Sequence, residues 1–317
     1  MAETLLELTA LVLGFAALTK GATWLVDGGA ELARRWGVRP MTVGLTVIAW
    51  GTSMPEVVVS SLASQRDMPE ACLGNVLGSN IANIGLVLGV TGLILPAVLR
   101  TRLSGRDALW LVGSLGIVWG FLLDGKLTRI EGFGLISAFL IYNVALFRLP
   151  RSTDVQEESE TAEVSRPWPS VVGGSVSIAL GGWLVLFGAE ALALRVGISE
   201  RVVGLTVLAI GTSLPELAAS VQSALRGHPA MGVGNVVGSN VFNSLTVMGI
   251  AAVVRPFQIA GPDGRLAPAL TSDFPINLGF SLLLVILALV LRGGATRIAA
   301  FALVVAYVAY SARVLTA

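Results

Sequence analysis

The chain repeats itself. Residues 44–56 read GLTVIAWGTSMPE and residues 204–216 read GLTVLAIGTSLPE, with ten of thirteen positions identical. A second stretch, GNVLGSNIAN at 74–83, returns as GNVVGSNVFN at 234–243, with seven of ten identical and the same offset of 160 residues. A duplication at fixed offset constrains the architecture before any helix is placed: the chain is two copies of one plan, and whatever the motif does, it does twice.

The solvent for those copies follows from composition. Hydrophobic residues make up 54% of the chain and charged ones only 13%, against about 25% charged in soluble domains. Several runs exceed the ~18 apolar residues that cross a bilayer. The expected fold class is an all-α polytopic membrane protein whose partner is the lipid bilayer. The opening stretch has no basic leader and a long apolar run, so it reads as a span and not a cleavable signal. The single cysteine, Cys72, leaves no internal disulfide and no cysteine-built metal site. A net charge of +1 without basic and aromatic clusters argues against a nucleic-acid partner. No obligate protein partner and no bound cofactor are expected, and the chain is expected to act as a monomer.

Ten spans are expected, over 5–26, 41–65, 71–98, 108–123 and 130–147 in the first half, and 171–194, 202–225, 231–254, 274–291 and 298–314 in the second. Asp27, Glu31, Arg34 and Arg35 read as a polar connection after the first span. Residues 1–147 form the first repeat and 170–317 the second. The acid-rich stretch 148–169 between them has few apolar groups to bury and reads as a linker. Five spans per half is an odd number, so in one membrane the second half must be inverted relative to the first. That plan is common in secondary transporters, with substrate bound at the midplane where the repeats meet. With both termini outside, the cytoplasmic loops hold twelve Lys and Arg residues against eight outside. The bias has the expected sign for the cytoplasmic membrane, and it comes from the first half.

Glu56 and Glu216 sit inside apolar spans, where an ionised carboxylate demands a cation, a proton or a polar cavity. Thr52 and Ser53 precede Glu56, and Thr212 and Ser213 precede Glu216. Spacings of three and four residues put a hydroxyl one turn from each acid. Pro55 and Pro215 donate no N–H, which frees the carbonyls of Gly51 and Gly211 and is expected to loosen those of Ala49 and Ala209. The second stretches add Asn75, Ser79 and Asn83, and Asn235, Ser239 and Asn243, each set spaced by fours along one helix face. Ser79, Asn83, Ser239 and Asn243 read as site-lining. Asn75, Asn80, Asn235 and Asn240 read as ties for broken backbone, and Gly74, Gly78, Gly234 and Gly238 as close-packing points. All the ligand groups are hard oxygens, suited to sodium, calcium or magnesium and not to zinc or copper. Two buried acids balance one divalent ion, two monovalent ions or two protons. If only loaded forms cross, the chain is an exchanger, whereas a cation channel with the same oxygens would show no counter-transport. Helices one and six, with Gly21, Gly28, Gly29, Gly181, Gly182 and Gly188, are the expected moving pair. Trp50 reads as packing.

GTSMPE with GNVLGSNIAN, and GTSLPE with GNVVGSNVFN, resemble the two alpha-repeats of the cation/calcium exchanger superfamily, and most closely those of the prokaryotic sodium/calcium antiporters. The resemblance spans nearly the whole chain. It implies a transporter and not an enzyme, exchanging sodium for calcium electrogenically by alternating access, commonly three sodium ions against one calcium ion. It implies Glu56 and Glu216 as central ligands, joined by Thr52, Ser53, Thr212 and Ser213 and by the carbonyls of Ala49 and Ala209. It further implies Ser79 and Ser239 at outer sodium sites, with helices one and six as a sliding gate. Members of that family often carry aspartate at the last position of the second stretch, whereas here both Asn83 and Asn243 are amides. Potassium-dependent exchange and calcium/proton exchange at the same site therefore stay open.

Overall fold

The computed structural model describes residues 2–148, 164–195, 197, 211–259, 269–290 and 296–316. It is almost entirely helical. Among the described residues, seven unbroken helices are long and apolar enough to cross a bilayer, and a further bent pair makes an eighth crossing. In chain order, α1 is Ala2–Trp36. The bent pair is α2, Pro40–Thr52, and α3, Met54–Gln65. Then come α4, Pro69–Ile94, α5, Gly105–Phe121, and α6, Arg129–Arg148. The second half has α7, Pro167–Arg195, α8, Leu214–Leu225, α9, Pro229–Val254, α10, Phe274–Val290, and α11, Thr296–Thr316. Prolines 40, 69, 167 and 229 all stand at helix starts, where the missing N–H removes no intrahelical bond.

Three expectations need correction. The first span does not stop near residue 26: α1 continues through Asp27, Glu31, Arg34 and Arg35. The charges stay helical because they satisfy one another at helical spacing. Glu31 accepts from Arg34 Nε at 2.9 Å and from Arg35 Nε at 2.6 Å. The sixth helix likewise begins at Pro167, inside the stretch assigned to the linker, while 149–163 lie outside the described residues. The third span ends at Ile94, and Pro96–Arg100 forms a separate 3₁₀ turn, as a proline after a helix end favours.

The two halves are interleaved. α1 and α7 run antiparallel along their lengths through glycines spaced by seven. Gly14 faces Gly181, Gly21 faces Gly174, and Gly28 faces Pro167; an ideal Cβ at any of these glycines would sit within 3 Å of the opposing backbone. Small residues at that spacing let the two backbones approach closely. Gly234 and Gly238 of α9 play the same part against α2, where a Cβ would lie 2.5 Å from the carbonyls of Met41 and Leu45. Two short strands, β1 (Lys126–Leu127) and β2 (Phe257–Gln258), pair antiparallel and tie the loop after α5 to the loop after α9. The larger apolar core lies among α4, α5, α6, α9, α10 and α11, and a smaller one runs along α1 and α7.

Candidate ion-binding site

The first signature is a broken helix. α2 ends at Thr52, Ser53 has φ −89° and ψ 12°, and α3 departs at an angle of 49°. Pro55 therefore stands in the first turn of a new helix, where its lack of an N–H costs nothing, and it does not kink a continuous one. The second signature has the same conformation at the matching position, with Ser213 at φ −90° and ψ 1° directly before α8. The consequence is electrostatic. Glu56 and Glu216 each fall in the first turn of a helix, where unpaired backbone N–H groups carry partial positive charge and favour an anion.

Both carboxylates are fully buried, with 0% exposure. They lie within electrostatic reach of each other. Glu216 Oε1 accepts a 2.7 Å hydrogen bond from Ser53 Oγ of the other half, and the hydroxyls of Thr52 and Ser239 stand beside it. Its Oε2 has no hydrogen-bond partner. Glu56 has Ser79 beside it, yet neither of its oxygens makes a hydrogen bond. Three of the four carboxylate oxygens are thus buried and unpartnered, an arrangement that is costly unless a cation or proton meets it.

The surrounding amides hold this geometry. Asn235 Nδ2 donates to Ser220 Oγ at 2.9 Å and to the Glu216 carbonyl at 3.2 Å. Its Oδ1 accepts from Thr52 Oγ1 at 3.1 Å, and Thr52 Oγ1 lies 3.5 Å from Ser239 Oγ. The tight glycine contact of α2 on α9 is what brings Thr52 that close. Asn75 repeats the pattern, donating to Ser60 Oγ at 2.8 Å and approaching the Glu56 carbonyl at 3.5 Å. Asn80 and Asn240 cross between the halves reciprocally, each amide donating to the other's carbonyl, at 3.4 and 3.2 Å. These four residues are the backbone ties that their spacing suggests.

Of the other residues singled out in the sequence, Asn83 is buried and donates to Asn240 Oδ1 at 3.1 Å, while its own Oδ1 is unpartnered. Asn243 is buried with neither amide atom partnered. Both begin helical stretches with π-type hydrogen bonding, Asn83–Leu88 and Asn243–Val247, a local widening often found at functional positions. Ser213 is buried with an unpartnered hydroxyl, and Thr212 is half-buried. Ala49 is buried, and its carbonyl is not loosened: it accepts from Ser53 N at 3.1 Å and from Thr52 Oγ1 at 3.3 Å. Ala209 lies outside the described residues. Trp50 packs on Phe139 and Phe242, with ring centroids at 5.6 and 6.4 Å. Ser60 and Ser220 were not singled out, although the sequence carries a signal for them: each follows its glutamate by four residues. Among the described residues no group of three or more His, Cys, Asp or Glu side chains could hold a metal. Hydroxyls and amides surround the two buried carboxylates.

A helical membrane chain that buries one carboxylate from each half at a helix start, with Ser53 of one half bonded to Glu216 of the other, has the makings of an ion-transporting membrane protein. The chain belongs to the sodium/calcium exchanger protein family, whose model matches residues 6–148 and 168–316. It is 36% identical over 276 residues to the putative antiporter CaxA of Alkalimonas amylolytica, covering 82% of this chain and 86% of that protein. It is 34% identical over 269 residues to the inner membrane protein YrbG of Escherichia coli, covering 80% and 82%. Its fold is similar to that of the sodium-calcium exchanger NCX_Mj soaked with Na+ and Sr2+, with a TM-score of 0.81 at 28% identity over 98% of both chains.

Proposed function

We propose that the chain exchanges sodium for calcium across the cytoplasmic membrane by alternating access, moving net charge in each cycle. The observation that carries this reading is the pair of fully buried glutamates, one from each repeat, with three oxygens left for an ion. Glu56 and Glu216 bind calcium centrally. Thr52, Ser53, Thr212, Ser213, Ser79 and Ser239 contribute hydroxyls, Asn83 and Asn243 amide oxygens, and Ala49 and Ala209 carbonyls, that of Ala49 only once it releases Ser53 and Thr52. A site this costly to leave empty in low dielectric crosses the barrier only when loaded, which couples the two ion fluxes.

The ten-span, inverted plan belongs to the same reading, with 1–147 and 170–317 as the repeats. The seven long helices, the bent pair, α5 and the partly described second signature helix make ten. Among the described residues, the ion pairs and strand pairing between loops join ends that this plan puts on one side. Glu7–Arg195 (2.6 Å), Asp67–Arg255 (2.8 Å) and β1–β2 fall on the outer side. Asp27–Arg226 (3.2 Å) and Arg35 bonded to the Val164 and Ser165 carbonyls fall on the inner side. The glycine-packed α1–α7 pair is the element that slides over the remaining core.

The test is calcium-45 uptake into proteoliposomes loaded in turn with sodium, potassium or protons. Uptake driven by an outward sodium gradient, shifted by membrane potential and lost in Glu56→Gln and Glu216→Gln, is the expected result. Proton- or potassium-driven uptake keeps the site and changes the driving ion. Uptake that ignores all three gradients, or mutants that behave like wild type, overturns the proposal.

A further inference from the structure

The polar contacts of α1 divide unequally between its two ends. At one end Glu7 pairs with Arg195 of α7, so that ion pair joins the two helices of the sliding pair to each other. At the other end Asp27 pairs with Arg226, in the loop between α8 and α9, at 3.2 Å. Four residues earlier on α1, Thr23 Oγ1 accepts from Gln222 Nε2 of α8 at 3.1 Å. These two contacts join the sliding pair to the core. His228 closes the cluster: it is 3% exposed, and its ring is close enough for the Asp27 charge to act on it. Burial pushes the His228 imidazole below its usual value, and the Asp27 charge acts in the opposite direction.

The repeat makes this arrangement informative. Across the duplication Asp27 corresponds to Leu186, Arg226 to Arg66 and His228 to Met68. Leu186 packs its side chain against Gly211, where an ideal Cβ would lie 2.7 Å from Leu186 Cδ1. The position of Asp27 is thus taken by an apolar side chain in the second half. One plan used twice gives two gates of equal energy, and a carboxylate at this position in one half alone breaks that balance.

We propose that Asp27, Arg226 and His228 form a latch that holds the α1–α7 pair against the core at one end, and so sets which face the ion site opens to. Asp27 and Arg226 are positioning residues: they touch no transported ion and act through the seating of α1. The other charged groups nearby do not compete for the role. Glu31 is engaged by Arg34 and Arg35 on α1 itself, and the first turns of α2 carry no charge after Arg39. The latch rests on the exchanger reading and on α1–α7 as the moving pair.

The experiment pairs transport with a distance. In right-side-out and everted vesicles, Asp27→Asn is expected to lower the half-saturating calcium concentration at the Asp27 face and to raise it at the opposite face. Each shift is roughly two- to fivefold, because a partly exposed ion pair shifts the two populations modestly. The charge swap Asp27→Arg with Arg226→Asp restores both values. Spin labels at Trp36 and Leu225, both exposed, read the same end without transport, and the one native cysteine, Cys72, is buried. Their separation is expected to lengthen and broaden in Asp27→Asn and to return in the swap. Equal changes at both faces, a swap that does not restore, or an unchanged distance distribution overturns the latch. Absence of calcium exchange in wild type, with the distance change present, overturns the exchanger reading and leaves the latch standing.

Discussion

The two glutamates have nearly the same sequence around them and different surroundings in space. Glu216 is held by Ser53 from the opposite half, whereas Glu56 has only Ser79 of its own half beside it and makes no hydrogen bond, and Ser213, the repeat partner of Ser53, is itself unpartnered. The backbone ties, by contrast, are symmetric: Asn75 with Ser60 matches Asn235 with Ser220. The amide ties therefore obey the duplication while the surroundings of the carboxylates depart from it. If the halves are the inverted repeats of the proposed exchanger, exchanging their roles produces the other state without new chemistry. In the alternate state Ser213 is expected to take up Glu56 as Ser53 releases Glu216.

The largest effect comes from removing either charge. Glu56→Gln and Glu216→Gln should each weaken calcium binding by at least about a hundredfold, since affinity for a hard divalent cation follows the number of anionic ligands. Isothermal titration of the purified protein checks this, and a much milder loss in one mutant would mean that the halves do not share one site. Next is the asymmetric hydroxyl. Ser53→Ala removes a hydrogen bond to a carboxylate, worth about 1.5–3 kcal/mol. It should therefore affect the half-saturating calcium concentration at one membrane face more than at the other, with Ser213→Ala affecting the reverse face. Matching effects at both faces would erase the distinction drawn here.

The glycine seam should respond symmetrically. Gly21→Ala and Gly181→Ala each force a Cβ to 2.7–2.8 Å from opposing backbone. Each should cost about 1–3 kcal/mol of stability, visible as a lower melting temperature in detergent. Gly173→Ala, with nothing within 4 Å, should be neutral. The ties come after that: Asn235→Ala, which also loses the contact with Thr52, should lower calcium affinity more than Asn75→Ala, at about 1–2 kcal/mol against half that. Smallest is Trp50→Ile, which copies the second half at that position. A change in transport rate beyond about twofold would show that Trp50 does more than pack on Phe139 and Phe242.

Much of this was legible in the chain. Prolines before the glutamates pointed to disturbed backbone inside the spans, because the ring removes a donor. What misled was their exact effect, since a proline in the first turn of a new helix leaves the Ala49 carbonyl bonded to Ser53. The length of α1 was not legible. Charged residues at helical spacing suit a loop and a paired helix end equally, and only the contacts of Glu31 with Arg34 and Arg35 decide between them. Ser60 and Ser220 were readable and passed over, because hydroxyls in an apolar helix look like packing until an amide is found facing them.

The sequence by itself determined the duplication, the membrane as solvent, the two buried acids and the oxygen character of their surroundings, because these follow from residue identity and local spacing. The tertiary structure alone decided that Ser53 serves the glutamate of the other half, that Asn80 and Asn240 bind each other, and that Asp27 meets Arg226. Those contacts join residues about 160 to 200 positions apart. Whether they form depends on how closely glycine-lined helices approach, a property of packing that no local pattern encodes.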